Sequence, residues 1–406
     1  MTSVAERPGA VTVPPAPTAP ARARIARLLF HRTVSRLEGI EVIGPGGAPI
    51  RSEPGAPRMT ITSDAFFHRL GRDGKIGFGE AYMAGDWHAD DLAGVLTAFA
   101  ARITRLVHPQ FQKLRRIYEP VLPHHERNTP DGAARNISRH YDLSNELFEL
   151  FLDETMAYSC AIFEPGDDLE SAQRRKYDAV CDLALIGADS NLLEIGSGWG
   201  GFAIHAATTR GCRVTTATIS RRQLDLAQRR VAEAGVGDRV TVVLRDYRAI
   251  EGSFDRLASI EMFEAVGEEY WPGFFATCDR LLAPGGVAAL QTITMPHDRY
   301  LATRRAYTWI HKYVFPGGLI PSREAIAATL RRSSQLRVTG ENDIGLHYVE
   351  TLREWRERFL ERADEVRALG FNDTFARMWE FYLAYCEAGF ATGAIGDVQL
   401  RLERPR

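Results

Sequence analysis

The tightest cluster of chemistry-bearing residues is Glu194-Ile195-Gly196-Ser197-Gly198-Trp199-Gly200-Gly201, at the end of the apolar run NLLEI (191–195). Glycines at this spacing let a backbone turn tightly and come close to a ligand where a strand gives way to a helix. The same letters satisfy G-x-G-x-x-G through Gly196, Gly198 and Gly201, so a dinucleotide site and a purely structural turn both compete. A dinucleotide fold calls for a carboxylate about 20 residues on, at the end of the second strand, to hold a ribose hydroxyl. The chain reads Ala217-Thr218-Ile219-Ser220 there, followed by Gln223, with no acid. Glu194 also stands where a nicotinamide site usually places an apolar residue, and Asp246-Tyr247 after the third strand could pair with and cover an adenine ring. The cluster reads best as a site for S-adenosylmethionine.

Other candidates are weaker. His297 and His311 have the right chemistry for proton transfer, but a histidine in such a place is more often an ordinary loop or helix residue. No His/Asp/Glu set has metal-ligand spacing, so no metal is expected. The five cysteines, Cys160, Cys181, Cys212, Cys278 and Cys386, include no C-x-x-C pair, which argues against a disulfide framework or a zinc site and for a reducing cytosol.

The elements that must position these residues form an alternating series. NLLEI (191–195), CRVTTATI (212–219), RVTVVL (239–244), FDRLASIE (254–261) and VAALQTI (287–293) read as strands. Helices are expected from Trp199, from Ser220 and over WPGFFATCDRLL, the last stopped by Pro284-Gly285-Gly286. That order predicts a mostly parallel sheet with helices on both faces. A chain of 406 residues suggests more than one core. We expect a disordered Pro/Ala-rich tail over 1–20, a small α+β domain over 21–110, a linker over 111–133 and the alternating domain over 134–406. Within the small domain, short strands are expected from Glu38 to Phe67 and helices from Gly79 to Leu106. The helix ARARIARLLFHRTVSRL is expected to pack an apolar stripe of Ile25, Leu28 and Leu29 on that domain, or else to present a basic surface to lipid headgroups. A net charge of -2 argues against nucleic acid as a partner. No apolar run reaches the roughly 18 residues a membrane span needs, and no secretory signal opens the chain. A cytoplasmic protein, peripheral to the inner face of the cell membrane, is expected.

Several longer stretches resemble the cyclopropane-fatty-acyl-phospholipid synthase family, which includes the mycolic-acid cyclopropane synthases and the enzymes that form 10-methylene and 10-methyl fatty acids. They are NISRHYDLSNELFELFLDETMAYSCAIFEP (136–165), IEMFEAVG (260–267), LQTITMPHDRY (290–300), YTWIHKYVFPGGLIPS (307–322) and the tail FARMWEFYLAYCEAGFATGAIGDVQL. GFGEAYMAGDW (77–87) is similar to the extra N-terminal domain of the phospholipid-acting members. The resemblance implies an α/β fold, a class I S-adenosylmethionine-dependent methyltransferase with a Rossmann-like seven-stranded sheet, a helical lid and the smaller N-terminal domain.

The resemblance also implies roles. Tyr141, Gly196, Gly198, Gly200, Thr218, Ser220, Gln223, Asp246 and Tyr247 would surround S-adenosylmethionine. Cys160, Glu264, Gln291, Ile293 and Tyr348 would line a small site for a bicarbonate ion acting as base. For Cys160, Tyr348 and Glu264 a purely structural role stays open beside this one. Family members commonly carry histidine where this chain has Gln291 and Ala265; glutamine still donates to an oxyanion. The implied reaction is one-carbon transfer to the double bond of an unsaturated phospholipid acyl chain through a carbocation, closing a cyclopropane. The alternative loses a proton after a hydride shift and leaves a 10-methylene chain, with a reductase as partner. A small-molecule methyltransferase and an idle lipid-binding protein are more distant readings. The expected partners are bilayer phospholipid and the membrane surface, with a homodimer allowed.

Overall fold

The computed structural model describes residues 11–106 and 144–406, without the side chains of 102–106. Tyr141, the 111–133 linker and the first ten residues lie outside the described residues. The chain divides into two compact units: Met1–Val121 with Ala306–Val314 and Leu352–Ala394, and Leu122–Arg305 with Phe315–Thr351 and Ile395–Arg406. Residues 306–314 and 352–394, expected within the 134–406 domain, thus belong to the first unit. The cause is hydrophobic. The helix Asp373–Ala391 buries Phe375, Met378, Trp379, Phe381 and Tyr382, and it packs on the helices Ala65–Met83 and Leu92–Leu106 of that unit.

The first unit holds a four-stranded sheet in the order β2-β1-β3-β4, from β1 (Glu41–Ile43), β2 (Pro49–Arg51), β3 (Arg58–Ile61) and β4 (Trp87–Ala89). Its helix Ala65–Met83 begins well before the expected Gly79, because Phe66 and Phe67 are buried on it against Phe30. Four glycines weaken its sequence signature: Gly74 kinks the helix at φ +55°, while Gly71 and Gly79 serve packing. A Cβ on Gly71 would lie 2.6 Å from the Arg22 carbonyl oxygen, and one on Gly79 would lie 2.6 Å from the Trp309 ring. Residues 11–19, placed in a disordered tail by composition, run as irregular chain on this unit. Asn372 donates to the Val11 carbonyl and Arg69 to that of Pro14. The helix Pro20–Val34 buries Ala23, Ala26, Phe30 and Val34. The expected stripe is on its other side: Ile25, Leu28 and Leu29 are 60%, 70% and 57% exposed.

The second unit carries seven strands in the order β10-β11-β9-β8-β5-β6-β7. They are β5 (Asn191–Ile195), β6 (Arg213–Thr218), β7 (Val240–Leu244), β8 (Phe254–Ile260), β9 (Leu282–Thr294), β10 (Arg337–Asp343) and β11 (Gly396–Glu403). β5 through β9 pair in parallel, and β11 runs antiparallel to β9 and β10. Pro284-Gly285-Gly286 fall inside β9, after the helix Trp271–Leu281 has ended. Two buried clusters cover the sheet, one around Leu193, Phe263, Trp271 and Phe274, the other around Tyr177, Phe202, Ala206 and Val214. The chain runs from β5 outward through β6 and β7, then returns to lay β8 on the opposite side of β5. This reversal is a topological switch point, and the crevice beyond the carboxyl ends of β5 and β8 is where such sheets bind ligands.

Candidate functional site

A cavity of about 160 Å³ opens at that crevice. β5 delivers the glycine turn into it, with Gly196 at φ +95° and Gly198 at φ +49°, both in the left-handed region that glycine enters freely. Gly200, at φ +87°, caps the helix Gly201–Arg210, and a Cβ on Gly201 would lie 2.3 Å from the Thr155 carbonyl oxygen. β6 ends at Thr218, whose hydroxyl donates to Gln223 Oε1 at 2.7 Å. Ser220 caps the next helix by accepting from the Gln223 amide.

Gly196, Gly198, Thr218, Gln223, Asp246 and Tyr247 all line this cavity. Gly200 and Ser220 are outside its lining and shape the two turns that border it. Arg248 grips the Asp246 carboxylate from two nitrogens, at 2.8 and 2.5 Å. Glu194 also lines the cavity, its Oε2 buried without a hydrogen-bond partner, and burial pushes its carboxyl up to about 8. An unpartnered buried acceptor beside a glycine turn with open space over Gly198 fits a polar ligand such as S-adenosylmethionine.

Of the five residues expected around a bicarbonate ion, three, Cys160, Gln291 and Tyr348, are brought together around a different centre. That centre is Glu261, directly after β8. Its Oε1 accepts from the Cys160 amide at 2.7 Å and from Gln291 Nε2 at 2.8 Å, and its Oε2 accepts from the Tyr348 hydroxyl at 2.5 Å. Glu264 sits to one side, where its Oε1 accepts from the Ile293 amide and from the Thr292 hydroxyl. The residue as a whole is partly buried, but its Oε2 is shut off from solvent and without a partner. Burial first, then the Glu261 charge, raises the Glu264 carboxyl to about 8. The Cys160 thiol is fully buried and pushed well up by that burial, and it donates to the carbonyls of Ala161 and Ile344. A separate bicarbonate, expected from the resemblance, does not fit, because its donors already end on the Glu261 carboxylate.

Sequence reasoning also missed Asp397 and Lys176. Asp397 on β11 is fully buried beside Gln291, and burial together with the Glu261 charge holds its carboxyl well above the usual range. Lys176, also fully buried, donates to Ser159 at 2.6 Å and is lowered to about 8, chiefly by burial. The signal for Glu261 was present in IEMFE, an acid directly after the buried end of a parallel strand with a second acid three residues on. His297 and His311 have structural work: His297 Nδ1 pairs with the Ser322 hydroxyl at 2.7 Å, and His311 completes a capping box with Thr308. Among the described residues no group of His, Cys, Asp and Glu could hold a metal ion.

Comparison with known proteins gives this geometry a family. Residues 128–400 match the family described as mycolic acid cyclopropane synthetase. The chain is 47% identical to the tuberculostearic acid methyltransferase UfaA1 of Mycobacterium tuberculosis, over 98% of this chain and 95% of that protein. It is 34% identical to the cyclopropane-fatty-acyl-phospholipid synthase of Escherichia coli K12, over 93% and 91%. The crystal structure of mycolic acid cyclopropane synthase CmaA1 complexed with SAH and CTAB superposes with a TM-score of 0.62 at 29% identity, covering 70% of this chain and 99% of that one. The chain belongs to the mycolic acid cyclopropane synthetase family and is an S-adenosylmethionine-dependent methyltransferase that acts on lipid chains.

Proposed function

We propose that the chain adds a one-carbon unit to the double bond of an unsaturated phospholipid acyl chain and leaves a methylene branch, the precursor of a 10-methyl chain, rather than a cyclopropane. The observation that carries this reading is the 47% identity, along nearly the whole chain, to a tuberculostearic acid methyltransferase, against 34% to a cyclopropane synthase. S-adenosylmethionine bound in the cavity supplies an electrophilic methyl group. Gly196 and Gly198 let the backbone come close to it, while Thr218, Gln223, Asp246 and Tyr247 hold and orient it. Met262, Ala265 and Val266 line the same cavity and keep water from the cation formed on the acyl chain. Both products gain one CH₂, so mass alone does not separate them. Proton NMR of lipids from cells expressing the protein does: olefinic methylene signals are expected, and upfield ring-methylene signals would overturn the choice of product.

The second part of this reading is a peripheral membrane contact. The helix Pro20–Val34 exposes Ile25, Leu28 and Leu29 together with Arg22, Arg24 and Arg32, and it carries no acidic residue. Apolar side chains amid arginines match an anionic bilayer, where each cation contributes about 1 kcal/mol near the surface. No helix among the described residues is long and apolar enough to cross a membrane. Replacing Ile25, Leu28 and Leu29 by serine is expected to lower co-sedimentation with anionic vesicles by at least ~10-fold, given about 1.5 kcal/mol or more per buried aliphatic side chain. Affinity for S-adenosylmethionine should be unchanged, and undiminished vesicle binding would remove this face from the proposal.

A further inference from the structure

Glu261 occupies an unusual position. It is one of three non-glycine residues with positive φ among the described residues, at φ +47°, and its amide is fixed to the Gln291 carbonyl at 2.9 Å. A non-glycine residue held in the left-handed region costs free energy, and such strain gathers at functional sites. The bend turns the side chain of a residue that would otherwise continue β8 so that it meets three converging donors, the Cys160 amide, Gln291 Nε2 and the Tyr348 hydroxyl. An acceptor-only group taking three hydrogen bonds is the partner set of an ionised carboxylate. Glu261 also lines the cavity of the glycine turn, which Glu264, Cys160, Gln291 and Tyr348 do not.

We propose that Glu261 is the general base of the reaction, a side-chain carboxylate standing where a free bicarbonate ion would otherwise be held. A second anion on the same three donors would meet the Glu261 charge at hydrogen-bond range, which excludes simultaneous occupancy. The proposal rests on the acyl-chain reading above. Once the methyl group has joined one alkene carbon, the neighbouring carbon is cationic. A hydride shift moves the charge to the methyl-bearing carbon. Glu261 then takes a proton from the methyl group, and the electron pair of that C–H bond becomes the second bond of the exocyclic methylene. The alkene has gained CH₂, the sulfonium has become a neutral thioether, and one proton resides on Glu261 for release to solvent. Tyr348 and Gln291 act as positioning residues that hold the carboxylate against its bent backbone. Burial, and then the Glu261 charge, raise the Asp397 carboxyl beside it well above its usual range.

The test uses the full chain and three forms of it. Wild-type turnover on unsaturated phospholipid vesicles should be the same with bicarbonate stripped or supplied. Glu261→Gln should lose ~10²–10⁴-fold, the usual worth of a general base, and bicarbonate should not restore it. Glu261→Gly removes the carboxylate, relieves the backbone and leaves three donors facing the cavity. Its turnover should be similarly low in stripped buffer and rise at least ~10-fold with millimolar bicarbonate. Calorimetric titration of bicarbonate into the S-adenosylhomocysteine complexes gives a readout that needs no substrate: binding to Glu261→Gly and none to wild type. Unchanged circular dichroism and a cooperative thermal transition in both variants confirm that they are folded. Bicarbonate binding to wild type, loss of wild-type turnover on stripping, or a Glu261→Gln variant near the wild-type rate would each overturn the proposal. A wild-type protein inactive on every unsaturated lipid would sink the acyl-chain reading instead, and the titration would still decide whether Glu261 fills the anion position.

Discussion

Gly198→Asp is expected to bind no S-adenosylmethionine in a calorimetric titration that gives clear binding for the wild type. Gly198 is at φ +49°, and a Cβ built on it meets no atom within 4 Å, so a side chain there projects into open space at the cavity. Aspartate is one of the few residues that tolerates the left-handed region, so the turn itself should survive and the circular dichroism should be unchanged. The new carboxylate would fill ligand space and stand near Glu194, already pushed up to about 8 by burial, making the cavity still less hospitable to charge. Gly198→Ala adds a methyl group without charge and should weaken binding far less. Undiminished affinity in the aspartate variant would mean that the ligand does not pass over this turn.

The glycine turn was legible because its residues are adjacent in the chain and their backbone demands are written in their identities. The order of β5 to β9 was legible for a related reason: buried parallel strands are short apolar runs separated by amphipathic helices. That the segment forming the helix Asp373–Ala391 joins the first unit was not legible, since no local pattern says which core a hydrophobic face will join. The helix Pro20–Val34 shows the same limit at finer grain. Ile25, Leu28 and Leu29 form the more hydrophobic stripe, yet small residues and Phe30 make the buried face, because Gly71 lets the two backbones approach closely. Periodicity identifies a stripe without saying what faces it. The anion site was misread by one turn of chain. The donors Cys160, Gln291 and Tyr348 meet in the structure, but they are 131 and 57 residues apart in sequence, and nothing local reveals that the backbone bends at Glu261 to bring a second acid among them.

Glu264→Gln is expected to make the protein more stable than wild type at pH 8, by about 4 kcal/mol, with the difference vanishing below pH 4.5. Glutamine keeps the acceptor that the Ile293 amide and Thr292 hydroxyl use, and its amide group replaces an oxygen that has no partner. The pH dependence follows from the direction of the shift. A folded-state value of about 8 against an ordinary 4.5 means that the folded chain holds this proton more tightly than the unfolded chain does. Between those two pH values the folded state binds more protons, so wild-type stability falls as pH rises through the window. Below pH 4.5 both states are protonated at this position and the two proteins should unfold alike; near and above pH 8 the wild type bears nearly the full cost of a buried carboxylate close to Glu261. Glu194, raised for the same reason, titrates in both proteins and cancels in the comparison. The measurement is denaturant unfolding of the two proteins from pH 4 to pH 9, each series fitted with its own slope. Parallel stability curves, with no divergence between pH 4.5 and pH 8, would mean that Glu264 is ionised in the folded protein and that its charge is balanced by a partner other than the two donors on its Oε1.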